Sequence, residues 1–333
     1  MARPAFASTS SRRPLVAALV AAAVGATLSA GLSPEVAAAD ACRSTAGTVT
    51  IEQLPAGSDV ETCGAVGRVV EHDGLRLAVP EPGTVVGVEA LGASGEAELL
   101  QIEVSESGTI SYPDEVTVGH GASASSLKAA ADPSACADVA YTTNDLRVPD
   151  AGYEWWVGDG SMPGGLSKAA ARKAFSDALD NITGTSNSCG DDDAVGPGAT
   201  YQGTTSAEAN ISSGSACTAR DKISTWDGGN LRGDHLALTC WWAIAVAGAP
   251  NELVEADVRF NTTDYEFTNS PDDSCTDQYD IRSIATHEAG HVFGLGHVGA
   301  GHSQLTMYAD TVACSTKTRT LGKGDVLGLA AIY

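Results

Sequence analysis

The chain has 333 residues and a formal net charge of -23, enough length for two modest domains or one domain with a long extension. Its acidity argues against nucleic acid or an anionic membrane surface as the main partner, because both would repel it. The eight cysteines (Cys42, Cys63, Cys136, Cys189, Cys217, Cys240, Cys275 and Cys314) form an even set with no C-x-x-C pair, so disulfides in an exported protein are expected rather than a cysteine zinc site.

Export is also what the N-terminus implies. Arg3, Arg12 and Arg13 form a basic n-region, Leu15 to Leu28 is an apolar run, and Ala37-Ala38-Ala39 offers an A-x-A cleavage site. The run is short for a bilayer span and is interrupted by Gly25 and Ser29, so residues 1–39 read as a cleaved signal peptide and the product as secreted.

Residues 40–119 read as β-rich. Arg68 to Val70, Leu75 to Val79, Thr84 to Val88, Leu99 to Val104 and Thr109 to Tyr112 are short β-branched or alternating runs, punctuated by Pro80, Pro82 and Gly83. They suggest a small antiparallel sheet or sandwich stapled by Cys42 and Cys63, with no chemistry of its own; His72 and His120 stand isolated. Residues 120–135 are rich in Gly, Ala and Ser and read as a linker, the easiest place for proteolytic processing.

A second domain, residues 136–333, opens with a strand around Tyr153 to Val157. Ser167 is a good N-cap for the helix that follows, in which Ala171, Ala174, Phe175, Ala178, Leu179 and Ile182 share one face and Gly184 marks the end. The acidic loop at Asp191-Asp192-Asp193 is a candidate for calcium, although its spacing matches no EF-hand; Asp227 to Asn230 with Asp234 is a weaker one. Leu236 to Ala247 is an apolar strand carrying Cys240-Trp241-Trp242, and Val254 to Asn261 alternates as another strand. Asp280 can cap a helix anchored by Ile281, Ile284, Ala285 and Val292. A bridge from Cys275 to Cys314 would clamp the segments on both sides of that helix, and Gly324 to Tyr333 reads as a short terminal helix.

The most informative stretch is His287-Glu288-Ala289-Gly290-His291-Val292-Phe293-Gly294-Leu295-Gly296-His297. On a helix, His287 and His291 lie one turn apart on one face and can reach a single metal ion. Gly294 lets the chain leave the helix with positive φ and deliver His297 as a third ligand. Three protein ligands leave the fourth tetrahedral position to water, the mark of a catalytic zinc site, and Glu288 lies beside it as candidate general base. A surface helix that carries histidines by chance is the competing reading, but the H-E-x-x-H-x-x-G-x-x-H pattern is too demanding for it.

On this motif, together with Thr306-Met307-Tyr308 a short loop after His297, the chain resembles the metzincin metallopeptidases and within them the matrixin-like branch, over about residues 136–333. The resemblance implies an α+β fold: a twisted, mostly parallel sheet with an antiparallel edge strand, a long helix packed on it, a zinc helix, a methionine turn beneath the metal, and a C-terminal helix. It implies that Leu236 to Ala247 forms the rim of the cleft, where a protein or peptide substrate would add as an extended strand. Matrixin pro-segments often hold the metal through a cysteine followed by glycine; Cys63-Gly64 lacks the flanking residues of that motif and has Cys42 as a disulfide partner instead. The function implied is a secreted zinc endopeptidase with His287, His291 and His297 as ligands and Glu288 as base. Tyr308 reads as a pocket residue or buried structural tyrosine, and His302 as a loop residue. The alternatives are a non-catalytic zinc protein for surface binding or adhesion on the same scaffold, or a β-rich first half that binds a surface polymer with the peptidase as its processor.

Overall fold

The computed structural model describes residues 47–93, 99–113, 117–119 and 132–333. The expected signal peptide, Cys42, and nearly all of the expected linker lie outside the described residues. The elements run β1 (Val49–Thr50), helix α1 (Val60–Cys63), β2 (Val69–His72), β3 (Leu75–Ala78), β4 (Thr84–Gly92), β5 (Leu99–Val104), β6 (Ile110–Ser111) and β7 (Thr117–Gly119). After the linker come β8 (Tyr141–Thr143), β9 (Leu146–Arg147), β10 (Tyr153–Val157), helix α2 (Lys168–Thr183), β11 (Ala199–Thr204), β12 (Ala216–Cys217) and β13 (Thr225–Gly229). The last stretch holds β14 (His235–Ile244), β15 (Asn251–Asn261), β16 (Glu266–Thr268), β17 (Gln278–Asp280), helix α3 (Ile281–Val292), β18 (Leu295–Gly296) and helix α4 (Lys323–Ile332).

The main sheet has the order β11-β10-β13-β15-β14-β4-β5-β6, with β9 also pairing β15. The β11, β10, β13 and β15 ladders are parallel; β14 is antiparallel to β15, as expected from the resemblance. The helices form where their sequence signals lie. Ser167 accepts a hydrogen bond from Ala170 N and caps α2, whose buried face comprises the six residues expected from its spacing plus Asn181. Asp280 caps α3 by accepting from Ser283 N. The two helices meet through a buried hydrogen bond from Asn181 Nδ2 to Thr286 Oγ1 at 3.0 Å. Between helices and sheet lies an aromatic core in which Phe175 stacks on Phe260 and touches Trp226.

The strands of the first half do not close on one another as a separate sheet. β1, β2 and β3 join β12, and β4, β5 and β6 extend the main sheet from β14. The reason lies in β4, where eight of nine residues are buried. Val85 and Leu91 belong to the helix-side core, while Val86, Val88 and Ala90 belong to a second core shared with Val70, Leu77, Leu238 and Trp242. A strand apolar on both faces needs a neighbour layer on each side, so it settles inside a sheet rather than in a one-sided hairpin array. One consequence corrects the expectation for the cleft rim. β14 has no free edge: β15 pairs along one side and β4 along the other, Thr84–Gly92 against His235–Ile244. Trp241 and Trp242 both end in cores, one on each face of the sheet.

Three disulfides are described: Cys136–Cys189, Cys217–Cys240 and the expected Cys275–Cys314. Cys63 is also disulfide-bonded, so it offers no thiolate to a metal. Among the described residues no helix is long and apolar enough to cross a membrane.

The β4–β14 contact is close enough to test. A Cβ added at Gly87 would sit 2.2 Å from the Trp241 indole, inside both atoms' radii. Gly87→Ala should therefore cost about 1–3 kcal/mol of stability in urea unfolding, the usual range for overpacking a filled core.

Candidate metal centre

α3 carries His287 and His291 one turn apart, and both are buried. The helix ends at Phe293, and Gly294 at φ +92° turns the chain into β18. A side chain at Gly294 would also meet the Leu146 carbonyl at 2.1 Å, so both conformation and space call for glycine there. β18 pairs antiparallel with β8 and brings His297 back to the helix. The three Nε2 atoms converge: His287 to His297 2.9 Å, His291 to His287 3.0 Å, and His291 to His297 3.2 Å.

The other ring nitrogens fix what those atoms are. His287 Nδ1 lies 2.7 Å from the Thr306 carbonyl and His291 Nδ1 lies 2.9 Å from the Leu295 carbonyl. A carbonyl only accepts, so Nδ1 carries the proton and Nε2 keeps its lone pair. Buried lone pairs facing one another repel unless a cation sits among them. The separations are close to the roughly 3.3 Å that tetrahedral zinc bonds of about 2.0–2.1 Å would impose between nitrogens. The donor set is thus suited to zinc. Among the described residues it is the one cluster of three or more His, Cys, Asp or Glu side chains with metal-binding geometry. Burial and the neighbouring His291 hold His287 well below the usual imidazole range, and burial with both other rings does the same to His297. For His291, burial pushes downward but the Glu89 carboxylate outweighs it.

Glu288 is fully buried beside the cluster. Its Oε2 accepts from Thr239 Oγ1 at 2.5 Å, while Oε1 has no hydrogen-bond partner among the described residues. Burial pushes its carboxyl up to about 7, partly offset by His291 and the Thr239 hydroxyl. A carboxyl poised there can take up and give back a proton near neutral pH.

The expected methionine turn is in place. Met307 is buried, and a Cβ on Gly290 of α3 would fall 2.3 Å from its Sδ, so the thioether packs directly against the helix. The turn is anchored by Asp325 of α4, whose carboxylate accepts from Thr306 N at 2.9 Å, Met307 N at 3.2 Å and Gly322 N at 2.7 Å. Tyr308 is half-buried, and Val298 pairs with it in a parallel bridge. His302 pairs with Asp138 at 2.9 Å and stands apart from the cluster. Of the residues considered for calcium, Asp191 pairs with Lys323, Asp193 accepts from Thr185 Oγ1, and Asp227 is buried against Arg259.

Two groups escaped the reading of the sequence, Thr239 and Glu89. Their only signal was a single polar residue within an otherwise apolar strand. They sit directly opposite each other in the β14–β4 register.

Comparison with known families places this geometry in context. The matrixin family model matches residues 225–333, about a third of the chain, from β13 to the last residue. That segment resembles the matrixin metallopeptidases and contains the three histidines, Glu288 and Met307. No curated protein matches the chain.

Asp325 gives a pH prediction. Burial raises its carboxyl to about 6 despite three backbone donors. An acid raised above its unfolded value of about 3.9 favours the fold as it protonates, so this contribution is present at pH 4 and lost as pH rises through 6. In metal-free protein, the stability of Asp325→Asn relative to the parent should therefore rise by about 2 kcal/mol between pH 4 and pH 7 in denaturant titrations.

Proposed function

We propose that the protein is a secreted zinc endopeptidase that hydrolyses peptide bonds with Glu288 as general base. The observation that carries this reading is the convergence of three buried imidazole Nε2 atoms beside a carboxyl poised near neutrality. Zinc held by His287, His291 and His297 would supply a Lewis acid for the scissile carbonyl and acidify a water at its open position. The Glu288 carboxylate, held at one oxygen by Thr239, would be able to take up a proton from water on the other and return it to the departing amine. The low-polarity surroundings that raise its pKa also strengthen its hold on the proton in flight. A purely adhesive zinc protein has no use for a buried carboxyl at this position, since an apolar residue would be less costly.

The described form is closed. His287 is 1% exposed, His291 and Glu288 0%, and His297 6%, and β4 lies along the strand that would otherwise receive an extended substrate. This favours a role for residues 40–119 on the peptidase itself over a separate polymer-binding module. An extended protein substrate would pair with β14 once β4 no longer does. Export is supported by the described disulfides, which form in oxidising compartments.

Glu288→Ala should keep its zinc and lose hydrolysis of an unfolded protein substrate by on the order of 10²–10⁴-fold, whereas His291→Ala should lose the metal. Both are read by metal analysis and peptide release, using the secreted chain after its new N-terminus has been sequenced. Undiminished cleavage by Glu288→Ala would remove the base assignment. A zinc-loaded parent that cleaves nothing, whole or cut within residues 120–131, would favour the adhesive alternative.

A further inference from the structure

β4 is apolar along its length except at Glu89, which is 1% exposed. Strand alternation puts residues 85, 87, 89 and 91 on the face toward the helices. Val85 and Leu91 fill the core there, and Gly87 lies under Trp241. Glu89 thereby reaches the metal cluster from a part of the chain 208 positions before His297. Its Oε2 lies 2.6 Å from His291 Nδ1 and accepts from Asn144 Nδ2 at 2.6 Å. Its Oε1 accepts from the His297 backbone N–H at 3.2 Å and lies 3.6 Å from His297 Nδ1, a buried nitrogen with no hydrogen-bond partner among the described residues.

We infer that Glu89 is a positioning residue for the metal centre: its carboxylate orients His291 and His297, so that zinc binding by the full chain depends on the N-terminal half. The inference rests on the reading of the cluster as a zinc site. A buried carboxylate is costly unless paired, and here its partners are the outward ring nitrogen of His291 and the backbone N–H of His297. Carboxylates in that position fix the ring and its tautomer and raise the basicity of the metal-bound nitrogen. Three N–H donors, on His291, Asn144 and His297, converge on two oxygens that only accept. A glutamine cannot replace them, because its NH₂ would face one of those donors.

The test is zinc affinity of the full chain, measured by competition with a chromophoric chelator, alongside melting of the metal-free and zinc-loaded forms. Glu89→Gln should weaken zinc binding about ten- to hundredfold and shrink the melting shift caused by zinc. Asn144→Ala leaves the carboxylate in place but removes a donor that fixes it, and should weaken binding less, in the same direction; it decides the matter if Glu89→Gln does not fold. Val88→Ala, which opens a cavity on the opposite face of β4, should lower melting while zinc affinity stays within twofold of the parent. A parent that binds zinc, with Glu89→Gln or, failing its folding, Asn144→Ala binding it equally well, would overturn the role of Glu89 and leave the peptidase reading standing. A parent that binds no zinc would overturn both.

Discussion

Three imidazole nitrogens turned lone pair to lone pair in a dry interior are the constraint on which this structure depends. Left alone, such an arrangement is unfavourable, and the surrounding fold is what holds it. Two of the rings are fixed through their outward nitrogens, and the third ligand is held through its backbone. The Thr306 carbonyl holds His287, the Leu295 carbonyl and Glu89 hold His291, and Glu89 accepts from the His297 backbone. Preorganisation of this kind lowers the cost of ordering the ligands when a cation arrives, and it fixes which nitrogen each ring offers.

The supports come from opposite ends of the chain. From the C-terminal side, Asp325 on α4 gathers three backbone N–H groups, which sets the turn bearing Thr306 and seats Met307 against Gly290. From the N-terminal side, β4 brings Glu89 opposite Thr239, so one pair of facing strand residues touches both a ligand and the proposed base. The same strand pairing therefore reaches the histidine cluster and covers the edge of β14 at which we propose that an extended substrate would pair.

Much of this was legible in the sequence where the signal was local. The spacing of His287, His291 and His297, the caps at Ser167 and Asp280, the apolar face of α2 and the turn at Gly294 each depend on residues within a few positions of one another. Each formed as read. The family resemblance further implied an antiparallel strand at the edge of the sheet; β14 is antiparallel to β15 but has β4 on its other side. What escaped was long-range. Nothing in Thr84 to Gly92 says which strand it will pair with, since alternation fixes the faces of a strand but not its neighbour. The burial of both faces was the physical clue that these residues belong inside a large sheet. Glu89 and Asn144 acquire meaning only once that pairing has brought them to the histidines.

The described disulfides all join residues within 136–314, so none of the three fastens β4 to β14. That attachment rests on the strand ladder, on Glu89, and on two layers of packing, with Leu91 on the helix side and Val86, Val88 and Ala90 against Leu238 and Trp242 on the other. Such an attachment is strong while the chain is whole, because closing the loop between the halves has already been accomplished by the covalent linker. A cut within residues 120–131 would turn the same contacts into an association between two fragments, with the added entropic cost of holding them together. Cleavage in the stretch whose composition marks it as a linker would therefore loosen the hold on the β14 edge. On the proposed reading, the same few residues of β4 would then bear on both the metal centre and access to it.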